Sequence, residues 1–227
     1  MSGAPPLPWL APGDSPALLP EPGEALAEPN GLLAVGGALT PEWLLAAYRR
    51  GIFPWFSRGQ PILWWSPDPR CVFWPRDFRP NRSLARAMRN RGFKLRWDSD
   101  FAAVIDGCAA PRADGGGTWI TPSMRRAYLE LHRLGHAHSY EVWLEGRLVG
   151  GLYGVRLGAM FFAESMFRRA RDASKVAVAS LMRDALECGI ELVDCQVPSA
   201  HLASLGAAVL PRREFLAQVA RLTAPSG

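Results

Sequence analysis

Lysine is almost missing from this chain: of its 26 basic residues only Lys94 and Lys175 are lysines, and the first basic residue of any kind is Arg49. The leading 30 residues therefore lack the charged start of a secretory signal, and eight prolines interrupt any apolar core there. No apolar run approaches the roughly 18 residues of a membrane-spanning helix. A cytoplasmic protein with no membrane association is expected. Cysteine is also scarce: Cys71, Cys108, Cys188 and Cys195 show neither a CxxC pair nor zinc-ligand spacing, which fits reduced thiols. His132, His136 and His138 have no Asp or Cys at ligand spacing and fall where a helix end runs into a strand, so a structural role is expected and no metal. An internal repeat is absent as well, which excludes a solenoid.

What is present suits one large domain or two unequal ones, with 227 residues of ordinary globular composition. The proline-rich residues 1–30 are expected to be extended rather than packed, with the short apolar runs Trp9-Leu10 and Leu18-Leu19 lying along the body. Thr40-Pro41 opens a helix that stops at Gly51. Five aromatic residues, Phe53, Trp55, Phe56, Trp64 and Trp65, then fall within thirteen positions. They read either as a small aromatic core or as stacking platforms for bases. Between Arg76 and Arg96 eight basic residues face one acid, Asp77. This stripe, partly on a helix over 83–91 entered at Asn81, reads either as a phosphate-facing surface or as a solvated helix face.

Beyond residue 90 the periodicities predict a strand over Phe93–Trp97, a helix over Phe101–Cys108 after Asp100, and a helix from Thr121-Pro122 to Gly135. Three strands follow in 141–167, with turns at Glu145-Gly146 and Leu157-Gly158. Gly150-Gly151 inside the middle strand admits a close backbone or ligand. A helix over Ser174–Cys188, capped by Ala173-Ser174, leads to a buried strand over Ile190–Val197. A turn at 201–205, a strand near 207–210 and a helix over Arg212–Leu222 complete the chain. Helices flanking a mostly antiparallel sheet with one β-α-β passage give the α+β layout of an N-acetyltransferase-like (GNAT-like) domain. Arg112–Gly117 matches the R-x-x-G-x-G phosphate loop of acetyl-CoA enzymes, but it precedes the strands instead of leaving one, so coenzyme A is not expected.

Two acids stand at strand ends. Glu164 follows the apolar run Ala159–Phe162, and alternation puts Asp194 with Gln196 on one face of the later strand while Cys195 points to the other. Acids and an amide projecting from the ends of one sheet would form a site, with ion-paired or surface acids as the alternative. Cys195 and Cys108 would need a histidine placed by the fold to act as nucleophiles.

The strings GIFPWF, ILWWSPDPR, GTWIT, LGHAHSYEVW, LVGGLYGV, ESMF, ASK, VDCQV and ASLGA, in this order, closely resemble the leucyl/phenylalanyl-tRNA–protein transferase family from about Gly31 to Leu216. The resemblance implies a small N-terminal domain (1–70, with the proline-rich arm) followed by a GNAT-like catalytic domain (71–227). It implies transfer of Leu or Phe, and less well Met, from Leu-tRNA or Phe-tRNA to proteins with N-terminal Arg or Lys, feeding N-end-rule degradation, with no cofactor. By position it makes Asp194, Gln196 and Glu164 catalytic, and places Trp55 and Trp119 near the terminal adenosine. Leu152, Phe161, Leu181 and Val193 would line the donor pocket, with Leu152 and Leu181 where Met and Phe are expected. Arg82, Arg86, Arg89 and Arg91 are where the tRNA acceptor stem is expected. Rival readings are an acetyl-CoA acetyltransferase, a non-catalytic RNA-binding protein, and a tRNA-dependent peptidoglycan ligase.

Overall fold

The computed structural model describes residues 7–111 and 119–224; the Arg112–Gly117 loop lies outside them. An N-terminal sheet is built from β1 (Trp9–Leu10), β2 (Leu32–Gly36), β3 (Phe53–Pro54) and β4 (Leu63–Trp65), in the order β1-β2-β4-β3, with helix α1 (Pro41–Tyr48) between β2 and β3. Thr40 caps α1 by accepting the Trp43 N–H, as expected for Thr before Pro. The proline-rich arm is not a loose extended segment. Leu10 and Leu19 are buried, and Arg50 donates to the carbonyls of Leu19 and Pro20 at 2.7 and 2.9 Å. Prolines on either side keep the arm's one strand, β1, to two residues, and single leucines and backbone carbonyls seat the rest. The aromatic run splits between its two readings. Phe53, Phe56 and Trp64 are core, with Trp43 stacked on Trp64 at 5.8 Å, whereas Trp55 is 45% exposed.

The second sheet begins at β5 (Arg70–Phe73), which the sequence pattern does not announce. Next come α2 (Arg82–Asn90), β6 (Lys94–Trp97), α3 (Phe101–Ala109), α4 (Pro122–Arg133), β7 (Ala137–Leu144), β8 (Arg147–Leu157) and β9 (Met160–Arg168). They are followed by α5 (Ala173–Glu187), β10 (Leu192–Asp194), α6 (Ala200–Ala203), β11 (Ala208–Leu210) and α7 (Arg212–Leu222). The strand order is β11-β5-β10-β9-β8-β7-β6, and β9/β10 is its parallel pair. The expected α+β domain with one parallel crossover is present. Asn81, Asp100 and Thr121 cap α2, α3 and α4 as their sequences predict.

Alternation along the strands sends side chains into two apolar clusters. Tyr153, Val155 and Phe162 join α1, α3, α4, α7 and the N-terminal sheet, while Leu152, Phe161 and Val193 join α2, α5 and α6. Gly150 does admit a close neighbour. A β-carbon there would meet the Ala173 Cβ at 2.6 Å, so this glycine lets the first turn of α5 lie on the sheet. Two local expectations change. Asp172, in the left-handed conformation at φ 67°, starts α5 without a side-chain cap, in place of Ala173-Ser174. The strand expected over Ile190–Val197 is regular only from Leu192 to Asp194.

Candidate active site

The site exists because β9 and β10 part company. They pair as far as Phe162 with Asp194; beyond that β9 runs on to Arg168 while the chain leaves β10. On its other edge β9 carries a bulge. Tyr153 pairs with Ser165 and Gly154 with Ala163, so Glu164 is the extra residue. A bulge re-aims the side chain that it carries, and here it turns a carboxylate into the gap between the strands. Tyr128 Oη donates to Glu164 Oε2 at 2.8 Å and Gln196 Nε2 donates to Oε1 at 2.8 Å. Tyr48 Oη lies 2.6 Å from Tyr128 Oη, extending the chain of hydroxyls back to α1. Neither tyrosine is legible as a site residue, because each sits on the apolar face of an ordinary amphipathic helix.

On the opposite side of the gap Gln196 adopts φ 60°, a conformation that costs a non-glycine residue about 1–2 kcal/mol. Asp194 holds it there, its Oδ1 accepting the Gln196 N–H at 2.9 Å. The same carboxylate is gripped at both oxygens by Arg70, Nε to Oδ1 and an Nη to Oδ2, each at 2.8 Å, with both side chains fully buried. Arg70 in turn donates to the Gly51 carbonyl at 3.0 Å and lies between the rings of Phe53 and Phe215, at 4.8 and 4.4 Å. One guanidinium thus ties β5, the N-terminal sheet and α7 to the residue before the turn. Asp194 walls neither cavity described next, so the structure brings Glu164 and Gln196 together and sets Asp194 behind them.

Two cavities meet at this pair. The smaller, about 200 Å³, is walled by Trp119, Leu152, Ala163, Ser165, Met166, Val178 and Leu202 along with Glu164, Cys195 and Gln196. The larger, about 850 Å³, runs beside Trp55, Trp119, Phe53 and Arg58 and shares Glu164, Cys195 and Gln196. Trp55 thus lines the larger cavity, Leu152 the smaller, and Trp119 both. Phe161, Leu181 and Val193 do not reach the small cavity; they lie buried in the apolar cluster behind its wall. Met166, Val178 and Leu202 were not anticipated, since only the packing of α5 and α6 over the end of β9 brings them in. Cys195 is a correction. It lines both cavities instead of pointing away, because strand alternation ends at Asp194. Among the described residues no histidine lines either cavity, and burial first, then the Cys71 and Asp194 charges, push the Cys195 thiol well above its ordinary range, which disfavours the thiolate a nucleophile needs.

Electrostatics separate the groups that titrate near neutrality from those that do not. Glu164 is 7% exposed, and burial pushes its carboxyl up to about 7. The Tyr48 and Tyr128 hydroxyls oppose that rise; the Asp194 charge adds to it and Arg70 subtracts. Burial and the Glu164 charge raise both tyrosines well above their usual range, so they remain neutral donors. Such a site can hold a cationic amine against Glu164, orient it through the Gln196 amide, and seat an apolar side chain below.

The remaining candidates are surface features. Arg82, Arg86 and Arg89 lie exposed on one face of α2, and Arg91 just beyond its end pairs with Asp172 at 2.9 Å. His138 Nδ1 lies 2.7 Å from Asp98, and His132 stacks on Phe101 at 4.3 Å. Among the described residues no three His, Cys, Asp or Glu side chains gather as metal ligands.

The family model "Leucyl/phenylalanyl-tRNA protein transferase" matches residues 72–220, and that of the family's N-terminal domain matches 37–68. The chain belongs to the leucyl/phenylalanyl-tRNA–protein transferase family. It is thereby an acyltransferase. The transferase of this family from Azoarcus sp. (strain BH72) is 60% identical over 217 residues, covering 96% of this chain and 91% of that protein. The one from Pseudomonas entomophila (strain L48) is 58% identical over 205 residues, covering 90% and 91%. Among solved structures FemX shares the fold at TM-score 0.52 with 12% identity, over 75% of this chain and 66% of that one. A GCN5-related N-acetyltransferase from Kribbella flavida is a more distant likeness, at TM-score 0.41, 12% identity, and 76% and 61% coverage.

Proposed function

We propose that this transferase moves leucine or phenylalanine, and methionine less well, from aminoacyl-tRNA to the α-amino group of proteins beginning with Arg or Lys, in the cytoplasm, feeding N-end-rule degradation. The observation that carries the reading is the junction of a small apolar cavity and a larger tryptophan-flanked one at Glu164 and Gln196. The small cavity suits the donor side chain. The large one suits the terminal adenosine, with Trp55 and Trp119 beside the base, and it leaves room for the acceptor N-terminus.

The chemistry is aminolysis of an ester. The acceptor nitrogen attacks the carbonyl carbon, the tetrahedral intermediate collapses, the bond to the ribose oxygen breaks, and that oxygen leaves with the proton given up by the amine. The ester is already activated, so no cofactor is needed. An α-amino group has a pKa of about 7.7–8.0 and is substantially neutral near pH 7, so no strong base is needed either. Placement supplies the rate, as effective molarity can contribute several kcal/mol. Glu164 holds the donor's α-amino group, because a side chain seated in the small cavity puts that group beside the carboxylate. Gln196 orients the attacking amine by hydrogen bonding, and Asp194 with Arg70 acts through Gln196 as a positioning pair. Arg82, Arg86, Arg89 and Arg91 contact acceptor-stem phosphates, which position the RNA without reading it.

The test uses labelled Leu-tRNA and Phe-tRNA with reporters beginning with Arg, Lys or Ala. Label is expected on the first two and not on the third; equal label on all three would contradict the acceptor assignment. Leu152→Phe narrows the small cavity, and apolar pockets discriminate by about 1–3 kcal/mol per methylene. In competition between the two donors, the variant is expected to lose phenylalanine transfer at least about tenfold more than leucine transfer.

A further inference from the structure

The turn from β9 into α5 carries a second basic surface that the activity has not used. Arg168, Arg169 and Arg171 are exposed there and Lys175 is half-buried. The acid among them, Asp172, is taken by Arg91 at 2.9 Å, and Arg171 reaches it only at 3.9 Å. Arg169 rests on the Phe167 ring and donates to the Leu148 carbonyl, but Arg168 and Lys175 have no acidic or hydrogen-bonding side-chain partner among the described residues.

Three basic residues neighbour, along their own elements, residues that wall the small cavity. Its wall takes Met166 from β9, Val178 from α5 and Leu202 from α6. Arg168 is two residues beyond Met166 on the same strand, Lys175 is one helical turn before Val178, and His201 adjoins Leu202. Burial, then the charges of Lys175 and Arg168, hold the His201 imidazole below its usual range. The Arg91–Asp172 contact joins this surface to α2, whose Arg82, Arg86 and Arg89 recur at helical spacing on one exposed face. Basic residues thus lie both on the elements that wall the small cavity and on α2, with Arg91–Asp172 between them. Gathering like charges without counter-charges is unfavourable unless an anion sits among them.

Resting on the transferase reading above, we propose that Arg168, Lys175 and His201 form a subsite for phosphodiester groups of the donor strand adjoining the terminal nucleoside, leading that strand from the cavities to α2. An acidic segment of the acceptor protein is the other anion available. Continuity with the regularly repeated arginines of α2 favours a polyanion with regularly spaced charges.

The experiment compares the wild type with the Arg168→Ala/Lys175→Ala double variant on two donors, Phe-tRNA and the phenylalanyl ester of adenosine, which has no phosphate. The variant is expected to raise KM for Phe-tRNA by about tenfold or more, with kcat within about twofold, and to leave both constants for phenylalanyl-adenosine unchanged. With two phosphate contacts removed, the slope of log KM against log salt should also become shallower by about 1.4. Equal losses on both donors, an unchanged KM for Phe-tRNA, or a change in the acceptor's KM instead of the donor's would overturn the subsite. Wild-type protein that transfers from neither donor would overturn the transferase reading, and the subsite with it. Wild-type transfer from both donors with an unaffected variant would remove the subsite alone.

Discussion

Asp194→Leu is expected to destabilise the protein by about 3–5 kcal/mol, because it leaves the fully buried Arg70 guanidinium without its carboxylate. Adding Arg70→Met should restore most of that loss, since replacing both members of a buried ion pair by apolar side chains is often close to neutral. Transfer should not return with stability. The Gln196 N–H still lacks its acceptor, its left-handed turn is no longer held, and displacement of a positioning group by about 1 Å can cost on the order of a hundredfold in rate. Urea unfolding and single-turnover transfer, measured on the wild type, both single variants and the double variant, separate the two effects. A double variant that recovers both stability and rate would show that Asp194 and Arg70 serve the fold alone. One that recovers stability only assigns them to positioning Gln196.

The second large effect concerns Glu164, whose carboxyl is pushed up to about 7 from its ordinary value of 4.5. Between these values the native state binds more protons than the unfolded state, so this group makes stability fall as pH rises. The favourable contribution is complete below the unfolded value and gone above the folded one, a difference of at most about 3 kcal/mol. Glu164→Gln has no proton to lose there. Relative to the variant, the wild type should lose stability between pH 5 and pH 8, and parallel stability profiles would contradict the assignment. Catalysis should move the opposite way. Ionised Glu164 is the form that holds an ammonium group, so wild-type kcat/KM should climb through about pH 7 and again as the acceptor amine loses its proton, near 7.7–8.0. The variant should keep only the second rise, with kcat/KM at pH 8 lower by about ten- to a hundredfold, the worth of a hydrogen bond to a charged group.

Much of this architecture is readable from local chemistry. The turn at Glu145-Gly146 and the caps at Asn81, Asp100 and Thr121 follow from short-range rules and appear where those rules put them, while the turn expected at Leu157-Gly158 falls one residue later, at Gly158-Ala159, because Leu157 still pairs with Met160. Glu164 and Gln196 stand out as strand-end polar residues, the resemblance adds Trp55 and Trp119, and all four line the two joined cavities. What was not legible depends on pairing between distant strands. The bulge that re-aims Glu164 is a property of the β8/β9 register. The departure of the chain from β10 at Asp194 turns Cys195 into the cavities, against simple alternation. Arg70 resembled any other arginine in a basic chain until β5 placed it against Asp194, 124 residues away. Tyr48 and Tyr128 carry no local mark that separates a hydroxyl relay from a helix face turned to the core. In each case the missing information is long-range, and the apolar pattern alone does not contain it.

The most direct test is the mass of the product. A peptide beginning with Arg is incubated with Phe-tRNA and the protein, beside the same peptide with its α-amino group acetylated. The free peptide is expected to gain one phenylalanyl residue at its α-nitrogen while the acetylated peptide gains none. Free peptide left unmodified while the protein still binds Phe-tRNA would contradict it, leaving an RNA-binding protein whose Glu164–Gln196 junction does no chemistry.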